Sequence, residues 1–340
     1  MKKKKFSVLL NIFIILIVLS IVLYFSLKDN YQEIITAIFN MNPFYFIVAI
    51  LILCLYRFIT SIAYYYIIKL NKEKVSLLRC FQINFIILFF HGVTPFAGGG
   101  QPMEIYYLHK EGVPITKATN ITLQNFIVYQ VGLVVVGIIA LIYNHYFNLF
   151  PEDNFIKRLV VLGFIINLLV LVISFLLSFG KKIQKVIINK GIHLLAKIKL
   201  IKEEEKIQKK LSEYLTSFHK NALQLRKNKR LVAGLVLLNI IGLLVMYSMP
   251  YFIAKGMNIS LSLPATIVAT SYVMIIGSFV PIPGGTGGIE YGFVFFFNYL
   301  IKGNLVNALM LIWRFISYYL GMIFGAIALS LYRKKDKKCA

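Results

Sequence analysis

The sequence has little charge, and very little of it is negative. Only 15% of its 340 residues are charged, with 13 Asp and Glu against 37 Lys and Arg. Water-soluble domains carry roughly a quarter charged residues. This composition therefore excludes a soluble enzyme and a soluble nucleic-acid-binding domain. With 59% hydrophobic residues, the chain is predicted to be an all-α polytopic membrane protein.

The residues needed for metal, redox and nucleotide chemistry are also scarce. The three cysteines lie far apart without CxxC spacing, which excludes a disulfide framework and a zinc site. The three aspartates all fall in predicted loops or tails, so no acidic pair can hold magnesium. No Walker Gly-Lys-Ser/Thr string follows a glycine cluster. We therefore expect no cofactor, no metal and no catalytic residue.

Six apolar stretches reach the length of about 20 residues that a membrane span requires. Two further apolar stretches are broken: Leu77–His91 ends at a Gly-Val-Thr-Pro string, and Leu263–Val280 ends at Pro281 and resumes over Ile289–Ile301. The sequence thus predicts about six full transmembrane helices and two interrupted segments. The six full spans are Phe6–Leu27, Pro43–Ile68, Ala118–Tyr143, Leu159–Phe179, Leu231–Ala254 and Val306–Tyr332.

The distribution of basic residues predicts the orientation of these spans. If the N-terminus is cytoplasmic, 30 of the 37 Lys and Arg fall on the inside and five on the outside, with Arg57 and Arg314 inside spans. This strong positive-inside bias holds only if each broken segment enters and leaves on the same side. We therefore predict two re-entrant helical hairpins, Leu77–Pro102 from the cytoplasmic face and Leu263–Ile301 from the outer face. Both termini are then cytoplasmic.

The segment from about 180 to 230 is strongly basic. Apolar residues recur through it at helical spacing, which predicts amphipathic helices on the cytoplasmic leaflet. Basic residues near anionic lipids gain about 1 kcal/mol each. The net charge of +24 is thus explained by a membrane surface, and we expect no nucleic-acid partner.

Two strings occur twice in the same order. Pro-x-x-Gly-Gly-x-x-x-x-Glu begins at Pro95 and again at Pro281, and Phe-Ile-x-Tyr-x-x-Gly begins at Phe126 and again at Phe315. Together with the predicted sidedness, they indicate two inverted-topology repeats, about 43–143 and about 231–332, within one integral membrane domain over 1–340. Inverted repeats with broken helices are typical of secondary transporters, whose substrate sites lie between the repeats.

The breaks are the candidate substrate-binding site. Proline and glycine stop a helix and leave backbone groups unpaired, which hydrocarbon tolerates only beside protein, a cavity or a polar ligand. A helix that restarts there points its positive dipole end into the break, which suits a phosphate or carboxylate. The candidate substrate-binding residues at the breaks and on the following spans are Gly98, Gly99, Gln101, Glu104, Tyr129, Gly284, Gly285, Glu290, Arg314 and Tyr318.

Each charged candidate has two interpretations. Glu104 and Glu290 either cap the restarted helices or meet a cationic headgroup or a charged partner. Arg314 either pairs with a buried glutamate or contacts phosphate. For Arg57 the pattern favours a structural role, either an ion pair with a buried glutamate or snorkelling towards the interface, over ligand contact.

These motifs resemble a known family. The chain resembles the membrane region of lysylphosphatidylglycerol synthase/flippase proteins over nearly its whole length. Three features carry the resemblance: the first break with Glu104 and the following Tyr-Tyr-Leu, the basic central loop, and the Pro-x-Pro-Gly-Gly-x-Gly-x-x-Glu string ending at Glu290. The resemblance implies a flippase or transporter that moves anionic or aminoacylated phospholipids, or another lipid-linked group, between leaflets. It also implies a role in antimicrobial peptide resistance.

The resemblance leaves two alternatives open. The chain ends after a short polar tail, Arg333–Ala340, so we expect no soluble aminoacyl-transfer domain and no enzyme activity of this chain alone. The alternatives to a flippase are the membrane part of a phosphatidylglycerol lysyltransferase system with a separate synthase chain, and a non-catalytic accessory protein of envelope biosynthesis. The Ile, Lys and Asn bias indicates a bacterial cell membrane, and a homo-oligomer stays open.

The basic bias predicts a labelling pattern. In a variant without the native cysteines, cysteines placed at Asn30, Asn154 and Asn304 should react with an impermeant reagent added to intact cells, and one at Asn189 should not. Labelling of the positions 189 and 304 from the same side would contradict the inverted repeat.

Overall fold

The computed structural model describes residues 31–94, 99–150, 154–179, 228–278, 280, 282–301 and 305–332, and all regular structure in these ranges is helical. The first half contains α1 (Tyr31–Phe39), α2 (Pro43–Leu70), α3 (Leu77–Gly92), α4 (Gly100–Lys110), α5 (Ile115–Phe147) and α6 (Asn154–Phe179). The second half contains α7 (Lys229–Tyr247), α8 (Met249–Gly256), α9 (Leu263–Gly277), a 3₁₀ turn (Pro283–Gly285), α10 (Gly288–Phe297), α11 (Leu305–Arg314), a π-helical segment (Phe315–Leu320) and α12 (Gly321–Ser330).

The prediction of an all-α polytopic membrane protein is confirmed. Five helical stretches are long and apolar enough to cross a membrane, and each overlaps a predicted span to within a few residues. The predicted span Phe6–Leu27 and nearly all of the basic loop lie outside the described residues. The five stretches are Pro43–Leu70, Ile115–Phe147, Arg158–Leu176, Lys229–Gly256 and Leu305–Ser330.

Local sequence sets where several helices begin. Asn42 accepts a hydrogen bond from the Phe44 amide at 2.9 Å, and Pro43 occupies the first turn of α2. Ser76 and Ser262 likewise accept from backbone amides in the first turns of α3 and α9. These side chains satisfy amide groups that have no partner inside a helix.

The two broken segments form pairs of short helices. α3 packs against α4, and α9 packs against α10. At 1.5 Å per residue, the longest of the four is about 24 Å, less than the roughly 30 Å hydrocarbon core of a bilayer. These lengths suit re-entrant hairpins, whose sidedness stays a prediction.

The halves also pack against each other reciprocally. α3 of the first half packs on α12 of the second, and α9 of the second packs on α5 of the first. The long helices α2 and α7 pack together. Each broken segment therefore packs on the last span of the other predicted repeat, which positions both breaks inside the protein.

The contact between α3 and α12 is close enough to require glycine. A Cβ built on Gly325 would lie 2.5 Å from the Phe85 carbonyl oxygen and 2.9 Å from the Phe89 amide nitrogen. Small residues permit this backbone approach between membrane helices.

Gly325→Ala should therefore separate α3 from α12 and destabilise the protein by about 1–3 kcal/mol, as overpacked sites do. The matched control is Gly234→Ala in α7, where the added methyl meets nothing within 4 Å and should be neutral or stabilising. Thermal unfolding in detergent measures both. Equal stability of the two variants would contradict the close contact.

Candidate functional site

The second break depends on left-handed backbone that glycine supplies. Gly284, Gly285 and Gly287 have φ of 67°, 65° and 90°, conformations that cost other residues steric strain. Thr286, buried between them, donates its hydroxyl to the Pro283 carbonyl at 2.8 Å. The glycine-rich string therefore folds as a tight turn that joins α9 to α10.

Arg314 and Glu290 form a buried ion pair across this turn. The Arg314 Nε donates to Glu290 Oε1 at 2.6 Å, and Arg314 Nη2 donates to the Gly284 carbonyl at 2.7 Å. The two residues are 5% and 4% exposed, so water does not screen the pair. Of the two interpretations of Arg314, the structure shows the pair with glutamate.

Glu290 also caps the restarted helix. Its Oε2 accepts a hydrogen bond from the Gly287 amide at 2.7 Å, at the N-terminus of α10. A negative charge at this position is favoured by the helix dipole. The protein's own carboxylate thus occupies the end of α10 at which the sequence predicted a substrate anion.

Tyr318 ties the second break to the first hairpin. The Arg314 guanidinium lies 4.2 Å from the centre of the Tyr318 ring, and the Tyr318 hydroxyl donates to the Gly92 carbonyl at 2.8 Å. A side chain on Gly284 would overlap that ring. Tyr318 lies in the π-helical segment that starts directly after Arg314, and such segments are frequent at functional sites.

The first break is tightly closed where the structure describes it. Thr94 donates its hydroxyl to the Phe90 carbonyl at 2.7 Å and accepts from the Gly99 amide at 2.9 Å. A Cβ on Gly99 would lie 2.5 Å from the Thr94 methyl group. Gly98 lies outside the described residues, and Gln101 is half-buried in the first turn of α4.

Glu104 occupies the position in the first half that Glu290 occupies in the second. It is buried, and its Oε1 accepts from Asn125 Nδ2 at 3.4 Å. Asn125 directly precedes the string that begins at Phe126, just as Arg314 directly precedes the string at Phe315. Each half therefore sets its glutamate against the residue before the second string, but the first half has asparagine in place of arginine. The aligned strings contained this match, which sequence reasoning missed.

Tyr129 lies away from the breaks, beside Arg57. Arg57 donates Nη1 to Asn84 Oδ1 at 3.2 Å, and its guanidinium lies 4.8 Å from the centre of the Tyr56 ring. Its Nε is buried without a hydrogen-bond partner, and no carboxylate in the described ranges pairs with it. Arg57 is near the middle of α2, about 20 Å from either end. The predicted structural ion pair is thus not found in this part of the chain.

No group of three or more His, Cys, Asp or Glu side chains that could hold a metal occurs in the described part of the chain.

Comparison with known proteins places the chain in a family. Residues 9–325 match the family model described as the lysylphosphatidylglycerol synthase TM region. The chain belongs to this family.

The curated relatives of this lysylphosphatidylglycerol synthase TM-region protein are also membrane proteins. A UPF0104 membrane protein of Methanocaldococcus jannaschii is 28% identical over 98% of this chain and 97% of its own length. A UPF0104 membrane protein of Archaeoglobus fulgidus is 23% identical over 78% of this chain and 79% of its own length. Both relatives are archaeal, and the bacterial source inferred from composition stays a prediction.

The buried pair predicts non-additive stability losses. Glu290→Gln leaves Arg314 buried without its anion, and Arg314→Gln leaves Glu290 without its cation, so each should cost about 3–5 kcal/mol. The double variant removes both charges and should lose clearly less than the sum. Thermal unfolding of the four proteins measures the coupling, and additive losses would exclude a direct pair.

Proposed function

We propose that this protein moves a lipid with an anionic headgroup, or another lipid-linked anion, between leaflets. The observation that carries the proposal is Arg57, a cation near the middle of a membrane span with no carboxylate partner in the described residues. A charge at this depth is costly, and in membrane proteins it marks a substrate or ion path by default.

A phosphate would satisfy what Arg57 lacks. Guanidinium binds phosphate oxygens through parallel charge-assisted hydrogen bonds. The Nε has no partner of its own, and the Tyr56 and Tyr129 side chains lie beside the group. Arg314 is a weaker candidate for this contact, because Glu290 already neutralises it.

We also propose that the two halves are inverted repeats around this path. Three observations support this arrangement: the two paired strings, the matched Glu104–Asn125 and Glu290–Arg314 contacts, and the reciprocal packing of α3 on α12 and α9 on α5. In transporters built this way, one half rocks against the other about a site between them.

The alternatives are a membrane part that serves a separate lysyl-transferring chain, and an accessory protein without transport activity. The family description names a synthase, which keeps the first of these open. Product formation from lysyl-tRNA and phosphatidylglycerol would support it. If the protein shows neither leaflet exchange nor product formation, the accessory role is supported.

Leaflet exchange of fluorescent phosphatidylglycerol in liposomes tests the proposal. Arg57→Gln should lower the exchange rate about 10–100-fold, because a hydrogen bond to a charged group contributes about 1.5–3 kcal/mol, whereas Arg57→Lys should retain part of the activity. The matched control, Arg158→Gln, removes an exposed arginine at the start of a span and should leave exchange unchanged.

Stability separates a ligand-binding role of Arg57 from a structural one. Arg57→Gln strands no carboxylate in the described residues, so its unfolding temperature should be equal to or above that of the wild type. A loss as large as that of Arg314→Gln, or normal exchange by Arg57→Gln, would contradict the role proposed for Arg57.

A further inference from the structure

Glu104 is a buried carboxylate without an arginine partner, unlike Glu290 at the matching position of the second half. In the second half, Glu290 receives the Arg314 guanidinium at 2.6 Å. In the first half, Glu104 is 5% exposed and receives a long hydrogen bond from the neutral Asn125 amide, but no ion pair. An unpaired buried carboxylate is costly unless it is neutralised.

The groups closest to the Glu104 carboxylate are neutral. The Tyr64 hydroxyl from α2 and the Thr122 hydroxyl from α5 lie beside it, and neither has a partner elsewhere in the described residues. Tyr64 is 2% and Thr122 is 4% exposed. Hydroxyl groups can solvate a carboxylate but cannot neutralise it, so the charge of Glu104 has no counter-charge among the described residues, and a bound cation would supply one.

The cations nearest to this cluster along the chain are engaged elsewhere. Lys117 pairs with Glu73, and Arg79 pairs with Glu111. Lys110, on the same helix as Glu104, lies over the rings of Tyr106, Tyr107 and Tyr332. No Lys or Arg of the described ranges therefore takes the place that Arg314 takes in the other half.

Three titratable groups lie around Glu104. The Tyr64 phenol from α2 and the Cys80 thiol from α3 interact with its carboxylate. The His91 ring, at the end of α3, packs against Gly100 at the start of α4, one turn before Glu104. α5 contributes the neutral Thr122 and Asn125.

We propose that Glu104, Tyr64, Thr122 and Asn125 bind one monovalent cation from solution, a proton or Na⁺, where the second half carries the Arg314 guanidinium. The carboxylate supplies the neutralising charge. The carboxylate and the two hydroxyl oxygens are hard oxygen ligands of the kind that Na⁺ accepts, while Asn125 Nδ2 orients the carboxylate by donating to it. A proton on the carboxylate would instead bridge to a hydroxyl oxygen. The use of this site to couple ion entry to lipid movement rests on the proposed function, but cation binding itself does not.

Thermal unfolding of the purified full chain tests for binding, because a ligand that binds only the folded state raises its stability. The probes are NaCl, with choline chloride at constant ionic strength, and pH. A Na⁺ site predicts an unfolding temperature that rises with Na⁺ at fixed pH. A proton site predicts higher stability at lower pH and a loss as pH rises, without an effect of Na⁺.

Two variants assign either response to this site. Glu104→Gln removes the charge, and Asn125→Arg supplies the internal cation of the other half; both should fold and both should lose the response. His91→Gln should retain it, since His91 is outside the ligand set. Two results would overturn the proposal. In the first, the wild type and Glu104→Gln respond equally to Na⁺ and pH. In the second, lysylphosphatidylglycerol stabilises the wild type while Na⁺ and pH do not, and Glu104→Gln abolishes this stabilisation.

Liposomes separate this site from the proposed function. Leaflet exchange should follow a gradient of the bound ion in the wild type, and Asn125→Arg should abolish that dependence. If the ion-dependent stability is present but no lipid moves, the cation site stands and the transport function fails. If lipid moves in the wild type and in Glu104→Gln with equal dependence on every gradient, transport stands and the coupling role fails.

Discussion

The structure depends on one constraint: every backbone group inside a membrane must find a partner without water. Helix breaks violate this constraint, and the second break is satisfied by one side chain. Arg314 holds the Gly284 carbonyl and the Glu290 carboxylate, while Glu290 holds the Gly287 amide. The pair therefore closes both ends of the turn and neutralises itself, and Tyr318 then joins this unit to the carbonyl end of α3.

The first break solves the same problem with less charge. Thr94 bridges the end of α3 to the start of α4, and within the described residues of this break no arginine takes part. Glu104 keeps the position of Glu290, but its neighbour on the following span is Asn125. Glu290 is thus neutralised by Arg314 of its own half, whereas the charge of Glu104 is left for a cation from solution. An exact repeat would bury two self-neutralised pairs and offer solution ions no unmet charge at either break.

The large features of the fold followed from the sequence because they rest on local patterns. Apolar length predicted the five described spans, and proline and glycine predicted both interruptions. The candidate residues at the second break converge because pairing lowers the cost of burying Glu290 and Arg314. Local patterns do not reveal which distant residue neutralises a given charge.

Arg57 and Arg314 illustrate that limit. Both are single arginines within apolar spans, and the position of Arg314 beside the repeated string gave it the better claim to a phosphate. The structure pairs Arg314 with a glutamate 24 residues away and pairs Arg57 with none in the described residues. The Asn125 match was available in the aligned strings, but its meaning depends on the contact with Glu104, which only three-dimensional packing reveals.

The unmatched cation lies on α2, and the unmatched anion, on α4, contacts a residue of the same helix α2. Arg57 and Tyr64, the neighbour of Glu104, are seven residues apart on α2, which is two turns and about 10 Å. At an effective dielectric constant of about 20, two opposite unit charges about 10 Å apart attract by about 1.7 kcal/mol, which is less than the burial of either charge costs. An anion bound at Arg57 removes this attraction and leaves Glu104 beside a neutral site. A cation then binds at Glu104 more favourably by about the same energy, roughly a tenfold to twentyfold gain in affinity, and the coupling is reciprocal. Electrostatics between two incompletely paired residues is therefore enough to link the two binding events without a change in fold.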